Sequence, residues 1–314
     1  MVSHIMLSCE AYICGLEVFR SSVYRPIRYS SVTPRLNQGA RYISHSEHPS
    51  PCKVTMASIN LPSESGREDP IHKPPVDASN DPAKSAAFIF VHGLADSGSA
   101  LENIGDQFQQ GGKLPWLHWI FPSAKHNITQ MDTAWYIQHS LSPIAYSRPE
   151  LAPDEDEKGM FETVRYLESL IDACVEAGIP ANRVVLGGFS QGMAMSLLLH
   201  LTSTKYSGKL AGIVALLGYL PLSDGRSRIH DLRIEAGFSG AVADETPIFM
   251  GRGMKDSLVP KRIWNLSVAT LIDLGIAEKD VEMHEYEGLA HSINGALLRD
   301  LCAWLERVVP AIEP

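Results

Sequence analysis

Val184-Val185-Leu186-Gly187-Gly188-Phe189-Ser190-Gln191-Gly192 runs straight into Met193-Ala194-Met195-Ser196-Leu197-Leu198-Leu199-His200-Leu201. The β-branched start reads as a buried strand, and the apolar stretch after Ser190 reads as a buried helix. Between them, Gly188-Phe189-Ser190-Gln191-Gly192 has the pattern G-x-S-x-G of a nucleophile elbow. So tight a turn strains the serine backbone and demands small residues two positions to either side. It lifts the Ser190 hydroxyl above the C-terminal edge of a sheet. It also sets the Gln191 amide at a helix N-terminus, aimed at developing negative charge.

Working outward, the same alternation recurs. Ala86–Val91 is a short apolar run ending at His92-Gly93, and Trp119–Phe121 is another, stopped by Pro122. Ile213–Leu217, Ile248–Met250 and Val281–Tyr286 read as further strands. In Gly159–Ala177, Met160, Val164, Leu167, Ile171 and Val175 recur at helical spacing before Gly178 and Pro180. Arg262–Leu274 and Ile293–Val309 complete the helices. Strands alternating with helices predict an α/β fold with a mostly parallel central sheet and helices on both faces. Residues 85–314 fit one such domain.

The first 84 residues differ. Between Met1 and Ser50 there are five Arg, no Lys and three acids. Such an Arg- and Ser-rich, acid-poor stretch is a weak signal of a mitochondrial transit peptide; a disordered tail, or a start at Met56, are the plainer alternatives. Residues 58–84, rich in Pro, Ser, Asp and Glu, read as a linker.

The chain has 314 residues and a net charge of −9. Without clustered Lys and Arg it is a poor nucleic-acid binder. No apolar run approaches the roughly 20 residues needed to span a bilayer, which leaves at most peripheral membrane contact. Its five cysteines form neither a disulfide framework nor a metal-ligand spacing. A reducing compartment, cytoplasm or nucleus, is expected. The oligomeric state is not legible.

A serine nucleophile needs a base and an acid to orient it, following it here in the order Ser, acid, His. Four histidines follow Ser190: His200, His230, His284 and His291. His200 lies inside the elbow helix, His230 in a polar irregular segment and His284 within a strand. His291 stands in the loop between the last strand and last helix, where catalytic loops gather, and is assigned as general base. Asp256, in the loop after Ile248–Met250, is assigned as the acid. Asp244 precedes its strand, and Asp224 is the weaker alternative. The second oxyanion donor is expected from His92-Gly93-Leu94-Ala95-Asp96-Ser97-Gly98. There the Leu94 amide pairs with that of Gln191, and His92 organises the loop.

These residues together resemble the acyl-protein thioesterase and carboxylesterase family, the phospholipase/carboxylesterase branch of the α/β-hydrolases. The resemblance covers roughly Ala86 to Pro310. It rests on FVHGLADSG, GIPANRVVLGGFSQG, LGYLPL, DSLVP and YEGLAHS occurring in that order. It implies a Ser190, Asp256, His291 triad with Leu94 and Gln191 as oxyanion donors. It also implies cofactor-free hydrolysis of fatty-acyl thioesters or esters, such as S-acylated proteins or lysophospholipids. Five features depart from the family pattern. Ala95 and Met193 stand in place of Gly, Arg252 in place of His and Ile137 in place of Asp, and Ser223–Glu245 is longer than usual.

An acyl chain needs an apolar groove. Candidate lining residues are Leu114, Trp116, Leu117, Trp135, Tyr136, Leu141 and Leu258. The acidic stretch Pro153–Glu157 reads as a solvated loop and helix-start charge, favourable with the helix dipole. Two further readings stay open: a general short-chain carboxylesterase, and an inactive hydrolase fold serving as a sensor or interaction module.

Overall fold

A computed structural model describes residues 59–138, 155–223, 228–242 and 245–312. In chain order the elements are β1 (Ile71–Lys73), β2 (Ala86–Val91), α1 (Gly98–Gln110), β3 (Leu117–Phe121), β4 (Lys125–Asn127), β5 (Asp132–Ala134) and α2 (Glu157–Glu176). There follow β6 (Val184–Phe189), α3 (Gln191–Thr202), β7 (Gly212–Leu216), α4 (Arg228–Glu235), β8 (Ile248–Gly253), α5 (Lys261–Asp273), β9 (Val281–Tyr286) and α6 (Gly295–Val308).

Seven strands form one sheet in the order β1-β3-β2-β6-β7-β8-β9. All neighbours are parallel except β1, which pairs antiparallel with β3 at the edge. The central strands β2, β6 and β7 are apolar and wholly buried because both faces are covered, whereas the edge strand β9 alternates between buried and more exposed positions. Along β2, Ala87, Ile89 and Val91 join one core with residues of α2, α3, α4 and α5. Ala86, Phe88 and Phe90 join the other with α1 and α6. Every residue of the mostly apolar α3 is buried, and its Ser196 and Thr202 hydroxyls donate to Gly192 O and Leu198 O.

Several elements differ from the sequence reading. The expected linker over 58–84 contributes the edge strand β1 and the buried Ile59, so the fold starts before Ala86. Three residues, Ile-His-Lys, at a sheet edge carry no periodicity to read. Within the same stretch the Arg67 guanidinium stacks 3.5 Å from the Tyr166 ring centroid and pairs with Glu64 at 3.0 Å. His230 sits in a helix, α4, rather than an irregular segment. Three acids of the Pro153–Glu157 stretch do structural work, Glu157 by pairing with Arg228 at 2.9 Å. Asp156 caps α2 through Gly159 N, and Glu155 Oε2 accepts from Leu222 N at 2.6 Å. Pro153, Asp154, Asp224, Asp244 and Leu141 lie outside the described residues, as do residues 1–58.

Candidate active site

The end of β6 and the start of α3 meet at Ser190, whose φ of 56° and ψ of −116° lie in a region that side chains rarely occupy. The strain is held by close packing. A Cβ on Gly188 would stand 2.2 Å from the Gly192 carbonyl carbon, and one on Gly192 would stand 2.1 Å from the Val91 carbonyl oxygen. Ser190 N donates to Leu216 O at 2.8 Å, fixing the turn to the neighbouring strand.

The residues expected as acid and base follow strands β8 and β9, beyond β7 on the same side of the sheet. Their loops are stitched together. Met254 N donates to Tyr286 O at 2.9 Å and Lys255 N to Leu289 O at 2.8 Å. A Cβ on Gly253 would strike Leu289 O at 2.3 Å. This brings His291 Nδ1 to 2.8 Å from Asp256 Oδ2. Asp256 Oδ1 accepts from Leu258 N and Val259 N, each at 2.9 Å, so both carboxylate oxygens are engaged. The Asp256 side chain is 1% exposed and that of His291 11%. The imidazole lies beside the elbow, its ring 4.8 Å from that of Phe189.

The loop after β2 approaches from the other side. A Cβ on Gly93 would lie 3.2 Å from Ser190 Cβ, so the Gly93-Leu94 backbone runs against the serine. His92 Nδ1–H donates to Gly93 O at 2.6 Å, and Nε2 accepts from Ala124 N at 3.0 Å. Burial, the main cause, pushes its pKa down to about 4, so the ring stays neutral in the tautomer that serves both bonds. His92 therefore organises the loop, as its position suggested.

The expected acyl-groove residues divide three ways. Leu258 is exposed two positions beyond Asp256, and Met254 is exposed on its other side. Leu114, Trp116 and Leu117 sit at the start of β3, the opposite edge of a parallel sheet from Ser190, and cannot line a groove there. Trp135 and Tyr136 are 3% and 2% exposed. The Trp135 indole donates to His92 O at 2.8 Å, and the Tyr136 hydroxyl meets that of Tyr219 at 2.9 Å. Burial pushes both of those phenols up, which keeps them neutral. Both residues brace the fold through these bonds, and both also border a cavity beside α2 with Arg67 and Thr163. Sequence reading missed this because an aromatic pair looks alike in a groove and in a core.

Four of the departures from the family pattern also find places, while the fifth, Ser223–Glu245, falls partly on residues 224–227 and 243–244, outside those described. Ala95 adopts φ 62°, where glycine would be unstrained. The Met193 sulfur accepts from Gly218 N at 3.1 Å. Arg252 is buried and pairs with Glu285 at 3.0 Å. Ile137 N donates to Asp156 Oδ2 at 2.8 Å. Among the described residues no three His, Cys, Asp or Glu gather as a metal site, and no helix is long and apolar enough to cross a membrane.

A strained serine at an elbow, with a carboxylate-bound imidazole beside it, suits nucleophilic acyl transfer. The phospholipase/carboxylesterase family matches this chain over residues 72–309. The chain belongs to that family. It is a serine hydrolase of the α/β-hydrolase fold. An acyl-protein thioesterase 1 from Yarrowia lipolytica is 35% identical over 241 residues, 74% of this chain and 97% of that one. Another from Cryptococcus neoformans is 32% identical over 240 residues, 71% of this chain and 92% of that one. Among solved structures, Arabidopsis thaliana SOBER1 matches with a TM-score of 0.58 and 28% identity, covering 72% of this chain and 99% of that one.

Proposed function

We propose that this hydrolase is an acyl-protein thioesterase, releasing fatty acid from S-acylated cysteines of cytoplasmic proteins. Ser190 is its nucleophile, His291 its general base, Asp256 the orienting acid, and the Leu94 and Gln191 amides its oxyanion hole. The observation that carries the reading is the 2.8 Å Nδ1–Oδ2 contact between His291 and Asp256 beside the Ser190 elbow. The two relatives named acyl-protein thioesterase 1 support the substrate class.

The steps follow from the roles. His291 Nε2 takes the proton of the Ser190 hydroxyl as Oγ attacks the thioester carbon. The carbonyl oxygen becomes an oxyanion facing two backbone N–H groups. Collapse breaks the C–S bond, and His291 returns its proton to the departing thiolate. Water then attacks the acyl-enzyme, giving its proton to His291, which passes it to Ser190 as the fatty acid leaves. Exposed Met254 and Leu258 beside the acid loop offer apolar surface to the chain. Each methylene buried is worth about 0.8 kcal/mol.

The test is a hydrolysis panel of a palmitoyl-cysteine peptide, a lysophospholipid and a butyryl ester, run with wild type and Ser190→Ala. The reading expects the highest kcat/KM for the palmitoyl thioester and none of the three activities in the variant. A preference for butyryl ester would make the enzyme a short-chain carboxylesterase.

A further inference from the structure

Trp135 touches both loops that carry the oxyanion amides. Its indole N–H donates to His92 O at 2.8 Å, two residues before Leu94. Its backbone N–H donates to Gln191 Oε1 at 3.0 Å. Its carbonyl accepts from the Thr163 hydroxyl on α2, tying the residue to the body of the fold. The flanking residues extend the same strap. Ala95 N donates to Thr133 O at 2.9 Å, and Thr133 Oγ1 to Asp96 O at 2.6 Å. Gln191 Nε2 donates back to Tyr136 O and Gln138 Oε1, each at 3.3 Å.

We propose that Trp135 is a positioning residue for the oxyanion hole, its indole and backbone N–H groups setting the separation between the Leu94 and Gln191 amides. The proposal rests on the reading that those two amides receive the developing charge.

In a trans peptide the N–H points opposite the carbonyl of the same unit. The Leu94 N–H therefore points away from Gly93 O, which His92 Nδ1–H holds at 2.6 Å. His92 is in turn packed against the Trp135 ring, with centroids 4.9 Å apart, and its own carbonyl is held by the indole. The plane bearing the Leu94 donor is thus set from the Trp135 side chain. On the other loop, the Gln191 side chain is gripped at both ends of its amide by residues 135, 136 and 138. One short segment holds both donors, so their spacing does not depend on two loops moving independently. A preorganised pair costs no reorganisation when the oxyanion forms.

Two variants test this. Trp135→Phe removes the indole N–H, and benzothienylalanine placed at 135 removes it while keeping the ring volume. Activity on p-nitrophenyl butyrate is expressed per active site titrated with a fluorophosphonate, and affinity for an alkyl boronic acid is measured alongside. The expected result is a roughly ten- to hundredfold fall in kcat with KM nearly unchanged. Boronate affinity should fall by a similar factor, because its tetrahedral adduct occupies the hole. Unchanged kcat per titrated site in the benzothienylalanine enzyme would overturn the proposal, and so would a rise in KM alone. Hydrolysis surviving in Ser190→Ala would instead overturn the underlying serine reading, so the two failures are distinguishable.

Discussion

The two carboxylate oxygens of Asp256 have separate tasks: Oδ2 faces His291 Nδ1 at 2.8 Å, while Oδ1 accepts from the Leu258 and Val259 amides at 2.9 Å. An asparagine cannot serve both. Whichever way its side-chain amide turns, an N–H group meets either an imidazole donor or two backbone donors. Asp256→Asn should therefore force the wrong imidazole tautomer and lower kcat by about 10³- to 10⁴-fold. Circular dichroism should remain that of the wild type. Steady-state kinetics on any ester substrate checks it.

The elbow leaves no room at Gly192, where a Cβ would lie 2.1 Å from Val91 O. That contact is with backbone in the sheet, which cannot move aside as a side chain would. Gly192→Ala should cost more than about 3 kcal/mol or leave the protein insoluble. Soluble yield and thermal melting against wild type decide it.

Arg252 is buried on β8 and pairs with Glu285, which also holds Lys261 at 2.7 Å. Because Glu285 is partly exposed and keeps a second cation, the loss should be moderate. Arg252→Ala should cost about 2 kcal/mol, with KM unchanged. Arg252→Ala, Glu285→Ala and their double variant, unfolded in urea, should give a favourable coupling energy.

The stacked His72–His118 pair on β1 and β3 shares one hydrogen bond of 2.9 Å. Burial, then the charge of His72, pushes the His118 pKa down from 6.5 to about 4. An unfolded chain takes up a proton near pH 6.5 while the folded one stays neutral to about pH 4. Stability is then complete above pH 6.5 and is lost as pH falls toward 4. His92, held neutral chiefly by burial, adds to the same window. His118→Gln should flatten the slope of unfolding free energy between pH 6.5 and 4, as read by urea titrations across that range.

Much of this was legible along the chain because the central strands are buried on both faces. Uninterrupted runs such as Ala86–Val91 and Val184–Leu186 announce themselves, and so does the mostly apolar α3. Chain order and a place in a loop after a parallel strand point to Ser190, Asp256 and His291, and the last two meet in the structure. What escaped was held by tertiary contact. β1 is three residues long and exists through its pairing with β3. The β4–β5 hairpin is equally short and mostly exposed. α1 did carry a signal in Leu101, Ile104 and Phe108, spaced for one face, but Gly98 and Gly105 diluted it. At Gly105 the helix packs closely on the sheet, since a Cβ would stand 3.2 Å from the Phe121 ring. The bracing role of Trp135 depends on His92, Thr163 and Gln191, which no local pattern joins to it.

Intact-mass spectrometry after incubation with a fluorophosphonate tests the central claim most directly. The wild-type enzyme should gain one adduct, mapping to the peptide that contains Ser190, and Ser190→Ala should gain none. An adduct of equal yield in that variant, or one mapping to another residue of the wild type, would contradict the account.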